Sequence, residues 1–280
     1  MRNTIVVFTK VPKAGETKTR LTISRGGIST PEEAVAIYEG CLLDVINVCI
    51  AAKSGAVRIC YNSDGDREYL EKLLDKVADR SQIKEVYVDK GGTFDECMQY
   101  AADYILKNGG PDRLADSIVI VGGDLPSLQP IILQDAVCKL EKLASSAAGL
   151  LLAKKTENLV PQVGAAIVEG ACQEGGFSLV GYTCTTPFNF HRIFYNTDGI
   201  TALDMLVAQA REKNIPFAVV EMAPDVDIPV DLASMIPVIQ ALQLAARYDD
   251  SVMVPVNTIK ILEALGLESS AAPPAQRYVK

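Results

Sequence analysis

The stretch TIVVFTKVPKAGETKTRL, residues 4–21, changes character halfway along. Thr4 to Thr9 is a short β-branched and aromatic run, the pattern of a strand buried on both faces. The run ends at Lys10, and Pro12 and Gly15 then mark a loop. Four cations, Lys10, Lys13, Lys18 and Arg20, lie within eleven residues of the strand's carboxyl end. Beyond them, Thr30-Pro31-Glu32-Glu33 reads as a helix start, with Thr as cap, Pro at the first position and Glu three residues after the cap. The helix is expected to reach about Ala52.

The same unit recurs. Strands are expected at Val57–Tyr61, Val86–Val88 and Ser117–Val121. Helices are expected at Asp66–Val77, Thr93–Leu106 and Pro130–Leu143. This β-α alternation with short links implies a three-layer α/β/α domain on a mostly parallel sheet. Gly149–Ala153 reads as a fifth strand. After it the pattern loosens, with strands expected at Gly164–Val168, Phe177–Tyr182 and Phe217–Met222. Helices are expected at Gly199–Lys213, from Val230 to about Tyr248, and at Val252–Leu265. A Ser/Ala/Pro-rich end is expected to fray from about Ser269. We read one domain over 1–250 and a C-terminal helical appendage and tail over 251–280. The appendage carries Val252, Val254, Val256, Ile259, Ile261, Leu262 and Leu265, which can pack on the domain or form a homodimer contact.

Composition narrows the function. Of the 280 residues 49 % are apolar and 22 % charged, and the net charge is -8. An acidic chain is a poor partner for nucleic acid, so phosphates must be met by local cations, backbone N–H groups or a metal. Seven cysteines are scattered without a C-x-x-C pair, which argues against disulfides and zinc and for a reducing, cytoplasmic setting. No apolar run comes near the roughly 20 residues of a membrane helix, so no membrane partner is expected.

Ligands of open parallel sheets bind beyond the carboxyl ends of the strands. Three segments should meet there. The first is the cation-rich loop, which is neither a Walker A loop nor a G-x-G-x-x-G turn, so an oxidoreductase reading lacks its fingerprint. Gly15 would let its backbone approach a ligand closely. The second is Gly122-Gly123-Asp124-Leu125-Pro126. An Asp at a strand end after two glycines suits Mg²⁺ or Mn²⁺, which take few protein carboxylates and complete their shell with phosphate and water. The third is Asp225-Val226-Asp227, where the two carboxylates are expected to diverge, one toward metal and one capping the next helix. Glu174-Gly175-Gly176 is a turn that can face an acceptor. The lone His191, among Phe188, Phe190 and Phe194, reads as a packed or surface residue, and no hydrolase triad is supported.

Taken in order, four segments resemble the DUF2064 family of GT-A-type glycosyltransferase-like proteins. They are F-T-K-V-P-K-A-G-E-T-K-T-R-L, V-G-G-D-L-P-S-L, E-G-G-F-S-L-V-G and D-V-D-I-P-V-D-L, spread from residue 5 to about 235. The resemblance implies a nucleotide-diphospho-sugar transferase fold, shared with nucleotidyltransferases. It implies that Lys10, Gly15, Lys18, Thr19, Arg20 and Gly123 line the nucleotide phosphates. Asp124, Asp227 and Asp225 would hold the metal, Lys18 and Asp124 would be catalytic, and Glu174, Gly175 and Gly176 would face a small-molecule acceptor. Three features depart from the family. Glu174 and Phe177 stand where it has Asp and Tyr, Phe194-Tyr195-Asn196-Thr197 stands near its Trp-Ser-Thr, and Lys154–Gln173 is longer. The function expected is metal-dependent transfer from a nucleotide-sugar donor. Nucleotidyl transfer with release of pyrophosphate is the first alternative, and nucleotide binding without catalysis the second.

Overall fold

The computed structural model describes residues 1–155, 162–194 and 199–269. Seven strands form one sheet: β1 (Asn3–Thr9), β2 (Ala56–Tyr61), β3 (Ile83–Val88), β4 (Ser117–Gly122), β5 (Ile167–Ala171), β6 (Phe177–Thr183) and β7 (Phe217–Val219). Their order is β3-β2-β1-β4-β6-β5-β7. All neighbours are parallel except β6, which runs against both β4 and β5. The helices are α1 (Pro31–Ala52), α2 (Arg67–Leu74), α3 (Phe94–Leu106), α4 (Pro130–Ala144), α5 (Ala147–Lys155), α6 (Ala202–Glu212), α7 (Pro229–Ala245) and α8 (Val256–Ala264).

Alternation along the strands feeds two cores. Ile5, Val7, Ile59, Val119 and Val121 face α1, α2 and α4. Val6, Cys60, Ile118 and Ile120 face α3 and α6 on the other side. Ile5, Val6 and Val7 are all fully buried, which is why β1 reads as a continuous apolar run. The three-layer α/β/α reading therefore holds.

Both expected Thr caps form. Thr30 accepts from Glu33 N while the Glu33 carboxylate takes Thr30 N at 2.7 Å, and Thr93 and Glu96 repeat the exchange at α3. Two expectations fail. Residues 149–153 are not a strand but part of helix α5. Gly-Leu-Leu-Leu-Ala lacks β-branched residues and consists mostly of helix formers, and only Gly149 and Ala153, four apart on one helical face, are buried in it. The second failure concerns α1, which is long and apolar enough to cross a bilayer by length and composition, with a mean hydropathy of 1.8 over an 18-residue window. Glu39 and Asp44 interrupt its apolar run and hid this in the sequence. In the fold 67 % of that window is buried, because α1 lies between two cores and is apolar almost all round.

The second of those cores joins Leu21, Ile37, Cys41, Val226, Leu232, Met235 and Leu262, drawing α1, α7 and α8 together. Ile259, Ile261 and Leu265 of the C-terminal segment pack against it. All seven cysteines are free. The tail 270–280, the segment 195–197 and part of the long 154–173 stretch lie outside the described residues.

Candidate functional site

The loop after β1 is built around one turn. Glu16 N and Thr17 N donate to Lys13 O, and Lys13 N donates back to Thr17 Oγ1 at 2.9 Å. Gly15 takes φ +80° there, with no protein atom within 4 Å of where a Cβ would sit, so backbone conformation rather than crowding asks for glycine. Lys13 pairs with Glu16 at 2.5 Å on the surface. Lys18 then adopts φ 48°, ψ 40°, and a short 3-10 turn over Thr19–Leu21 drives Leu21 into the core. A non-glycine residue in the left-handed region is uncommon and has to be held there by its surroundings.

The result is an ion cluster around a buried Lys18. Lys18 Nζ donates to Asp124 Oδ2 and to Asp227 Oδ1, each at 2.5 Å, and Arg20 pairs with the other oxygen of Asp227. Only 9 % of the Lys18 side chain is exposed. Val226 N donates to Asp124 O at 3.1 Å, so the backbone itself joins the β4 end to the Asp225–Asp227 segment. Tyr38 of α1 lies beneath, its ring 5.6 Å from Lys18 Nζ and its hydroxyl 2.7 Å from Thr9 Oγ1.

Electrostatics follow from this packing. Burial alone would lower the Lys18 pKa, but the charges and hydrogen bonds of Asp124 and Asp227 raise it above its ordinary value. Burial would raise Asp227, and Lys18 and Arg20 outweigh it and hold the carboxyl below the usual range. Among the described residues Asp225 forms no ion pair, and the charge of Lys18 lowers it only partly. Burial, then the charges of Asp124 and Asp227, push it up to about 6. Burial likewise pushes Cys172 up to about 12, so at neutral pH it is a thiol and not a nucleophile.

The cleft over this cluster holds about 1130 Å³. Of the residues expected at the site, Lys10, Lys18, Thr19, Arg20, Gly123, Asp124, Asp225, Asp227 and Gly176 line it, while Gly15, Glu174 and Gly175 do not. His191 is exposed and lies off the cleft. The expected divergence of Asp225 and Asp227 is wrong: both line the cleft, as residues two apart in an extended stretch share a face. Neither caps the next helix. Asp231 does so, accepting from Asp227 N and Ile228 N at 3.0 and 2.9 Å.

Sequence reasoning missed the wall formed by the ends of β2 and β3. Asn62 Oδ1 accepts from Val11 N at 2.6 Å, and buried Asp89 accepts from Ser63 N and Gly91 N at 2.9 and 2.8 Å. The signal was present, since Asp89 closes β3 two residues before Gly91-Gly92, much as Asp124 follows Gly122-Gly123 after β4.

Among the described residues, no group of three or more His, Cys, Asp or Glu side chains is arranged to hold a metal ion. What the structure offers is two carboxylates, Asp124 and Asp227, converging on one cation, the Lys18 ammonium. These are hard oxygen donors of the kind Mg²⁺ or Mn²⁺ takes. The cleft is also rich in acid: Glu16, Asp64, Asp89, Asp124, Asp225 and Asp227 line it against Lys10, Lys18 and Arg20.

Comparisons bear on the fold. The model of the family described as "Uncharacterized protein conserved in bacteria (DUF2064)" matches residues 45–197, just over half of the chain. The match includes Asp124 and Glu174–Phe177, whereas the Lys10–Arg20 loop and the Asp225–Asp227 segment lie outside it. No curated protein matches. A crystal structure from Desulfovibrio desulfuricans G20, named "putative nucleotide-diphospho-sugar transferase", is similar with a TM-score of 0.67 at 19 % identity, covering 95 % of this chain and 97 % of that one. At that identity the likeness establishes a shared fold. A cytidylyltransferase from Leptospira borgpetersenii serovar Hardjo-bovis covers 98 % of this chain and 99 % of its own, with a TM-score of 0.49 at 13 % identity. CMP:2-keto-3-deoxy-manno-octonic acid synthetase with CTP covers 88 % and 99 %, with a TM-score of 0.48 at 12 % identity. These last two likenesses are too distant to carry an argument.

Proposed function

We propose that this chain, which belongs to the DUF2064 family, is a metal-dependent transferase that takes a glycosyl group from a nucleotide-diphospho-sugar. The observation that carries the reading is the Lys18–Asp124–Asp227–Arg20 cluster at the carboxyl edge of the sheet, inside a cleft large enough for a nucleotide donor. Lys18 and Arg20 are donors that can transfer from carboxylate to phosphate oxygens, Arg20 as a bidentate fork. A polyphosphate entering beside six carboxylates meets net repulsion, so its binding calls for a further cation. Asp124 and Asp227, relieved of Lys18, would hold that Mg²⁺ or Mn²⁺ ion. When bound, the ion supplies neutralisation of charge on the leaving nucleotide. Lys18 would stabilise the same developing charge from the protein side. The small-molecule acceptor enters from the β6 side, past Gly176.

A second reading is nucleotidyl transfer, in which a phosphorylated acceptor attacks the α-phosphorus of a nucleoside triphosphate and pyrophosphate leaves. The presence of Lys10 in the same cleft as Lys18 and Arg20 favours it, since three cations suit a triphosphate.

A thermal-shift panel of nucleoside triphosphates and nucleotide sugars, with and without Mg²⁺ or Mn²⁺, tests the premise. A ligand at 100 times its Kd stabilises a fold by about 2.7 kcal/mol. A metal-dependent shift that disappears in Asp124→Ala is expected. The products of turnover, nucleoside diphosphate or pyrophosphate, separate the two reactions, and binding without turnover on any acceptor points to a non-catalytic role. No shift with any nucleotide sinks the reading.

A further inference from the structure

The cleft has a second end of different chemistry. Phe8, at the end of β1, packs edge-on to Phe94 with ring centroids 5.6 Å apart. Phe94 meets Phe194 edge-on at 4.7 Å, and Phe194 meets Phe177 at 5.0 Å. All four rings line the cleft, together with Met98 and Val180 from the core beneath. The rings belong to four separate segments, and their meeting is fixed by polar bonds. Phe94 is the first residue of α3, directly after the Thr93 capping box. Phe194 N donates to the buried carboxylate of Asp95 at 2.9 Å, tying that loop to the same helix turn. Phe94 nonetheless remains 36 % exposed, a large ring at the cleft wall packed against two others.

Hydroxyl recognition is poorly served here. Among the described residues, the oxygen-bearing side chains next to these rings in sequence are engaged within the protein: Thr9 Oγ1 donates to Lys10 O at 2.8 Å, Thr93 Oγ1 bonds Glu96 at 2.9 Å, Asp95 accepts from Phe194 N and Ser178 Oγ donates to Gly170 O at 3.3 Å. A sugar seated directly on these rings would find the adjacent side chains already bonded, which costs affinity. A flat apolar ring meets three of its own kind. The volume also leaves room for it, since about 1130 Å³ exceeds the roughly 300–1,000 Å³ of a single-ligand site.

We infer that the acceptor carries a flat apolar ring, aromatic or conjugated, seated on Phe94 and the Phe177–Phe194 pair. This assignment rests on the transferase reading, in which the charged end takes the donor phosphates. The flat ring of the donor's own base is the other source of such chemistry, and the test separates the two.

Dissociation constants for phenol, cyclohexanol and methyl glucoside are measured by saturation-transfer NMR on the full chain, and nucleotide affinity is measured in parallel. Phenol is expected to bind at least about threefold more tightly than cyclohexanol or the glucoside, within the range of aromatic pair contributions. Phe94→Ala is expected to weaken phenol about fivefold and Phe94→Tyr to retain it, with nucleotide affinity within twofold in both. Phe177→Leu, inside the core, should weaken phenol in the same direction. Methyl glucoside binding as well as phenol, with nucleotide binding intact, overturns the inference and leaves the transferase reading standing. Nucleotide affinity falling in step with phenol in Phe94→Ala assigns the rings to the base and likewise overturns it. Ring-selective binding lost in Phe94→Ala without any nucleotide binding upholds the ring subsite and overturns the transferase reading instead.

Discussion

Lys18 sits in the left-handed backbone region with its ammonium between two carboxylates, and both features were invisible in the sequence. The partners are 106 and 209 residues away, so no local pattern could pair them. Lys18→Met removes the one charge that, among the described residues, Asp124 and Asp227 share and should destabilise the fold by about 3 kcal/mol, the low end for breaking a buried pair because both acids keep some exposure to water. Mg²⁺ should recover part of the lost Tm in that variant and leave wild type less affected, since the two carboxylates would be free to bind it. An unchanged Tm in Lys18→Met, or one indifferent to Mg²⁺, would count against the exchange of ammonium for metal. The neighbouring Asp225 makes a separate prediction. Its folded value of about 6 lies above the ordinary 3.8, so the native state holds the proton more tightly. This stabilisation is complete below about pH 4 and is lost as pH rises through 6. Asp225→Asn should therefore be more stable than wild type at pH 7–8, with the advantage vanishing toward pH 4. Asp227, held low, acts in the opposite sense, its contribution present above 3.8 and lost as pH falls below it. Denaturant titrations at pH 4, 6 and 8 measure the first, and a further series from pH 4 down to pH 2 measures the second.

At the scale of elements, the legible features were those whose cause is local. Thr30-Pro31-x-Glu33 and Thr93-x-x-Glu96 each place an acceptor on an orphan N–H three residues away, and both helices start there. The strand ends read at Thr9 and Val121, from β-branched runs meeting loop residues, lie within one residue of the ends of β1 and β4, and the first placed Lys18 and Arg20 on the cleft wall and the second placed Asp124 there. Helix α5 was misread because five apolar residues fit a buried strand or one helical face equally, and length did not decide between them. The aromatic wall was missed for a different reason. Phe8, Phe94, Phe177 and Phe194 share no spacing, and long-range contacts such as the β1–β4 and β4–β6 pairings and the Asp95 bond bring them together. Because a cap is local, its cost is too. Thr30→Ala should lower stability by about 1 kcal/mol without altering nucleotide affinity, whereas a loss of affinity would show that the start of α1 communicates with the cleft.

At the scale of the whole molecule, one core joins the domain read over 1–250 to the C-terminal segment. Leu21, next to Arg20, and Val226, between the two aspartates, are buried in the same cluster as Ile37 and Cys41 of α1 and Leu262 of α8. The two flanks of the ion cluster are therefore anchored from below by one apolar body, and α8 closes it. The link between α8 and α1 is polar as well as apolar. Buried Asp44 accepts from Asn257 N, Asn257 Nδ2, Thr258 N and Thr258 Oγ1 at 2.8–3.1 Å, capping the start of α8. Gly40, one turn earlier, lets the chains approach, since a Cβ there would lie 3.0 Å from Thr258 Cα. Burial raises the Asp44 carboxyl and these four bonds oppose the rise. Asp44→Ala strands a buried N–H of Thr258 and removes charged acceptors, so a loss of about 3 kcal/mol is expected. Cutting the chain after residue 250 should cost more, because it also uncovers Ile37, Cys41 and Ile236. If the third core positions the site, both changes weaken nucleotide binding at temperatures where the protein is still folded, and Asp44→Ala does so without touching any residue of the cleft. Full affinity in the truncated chain would instead make residues 251–280 a separable appendage, and the site would then be held by the sheet alone.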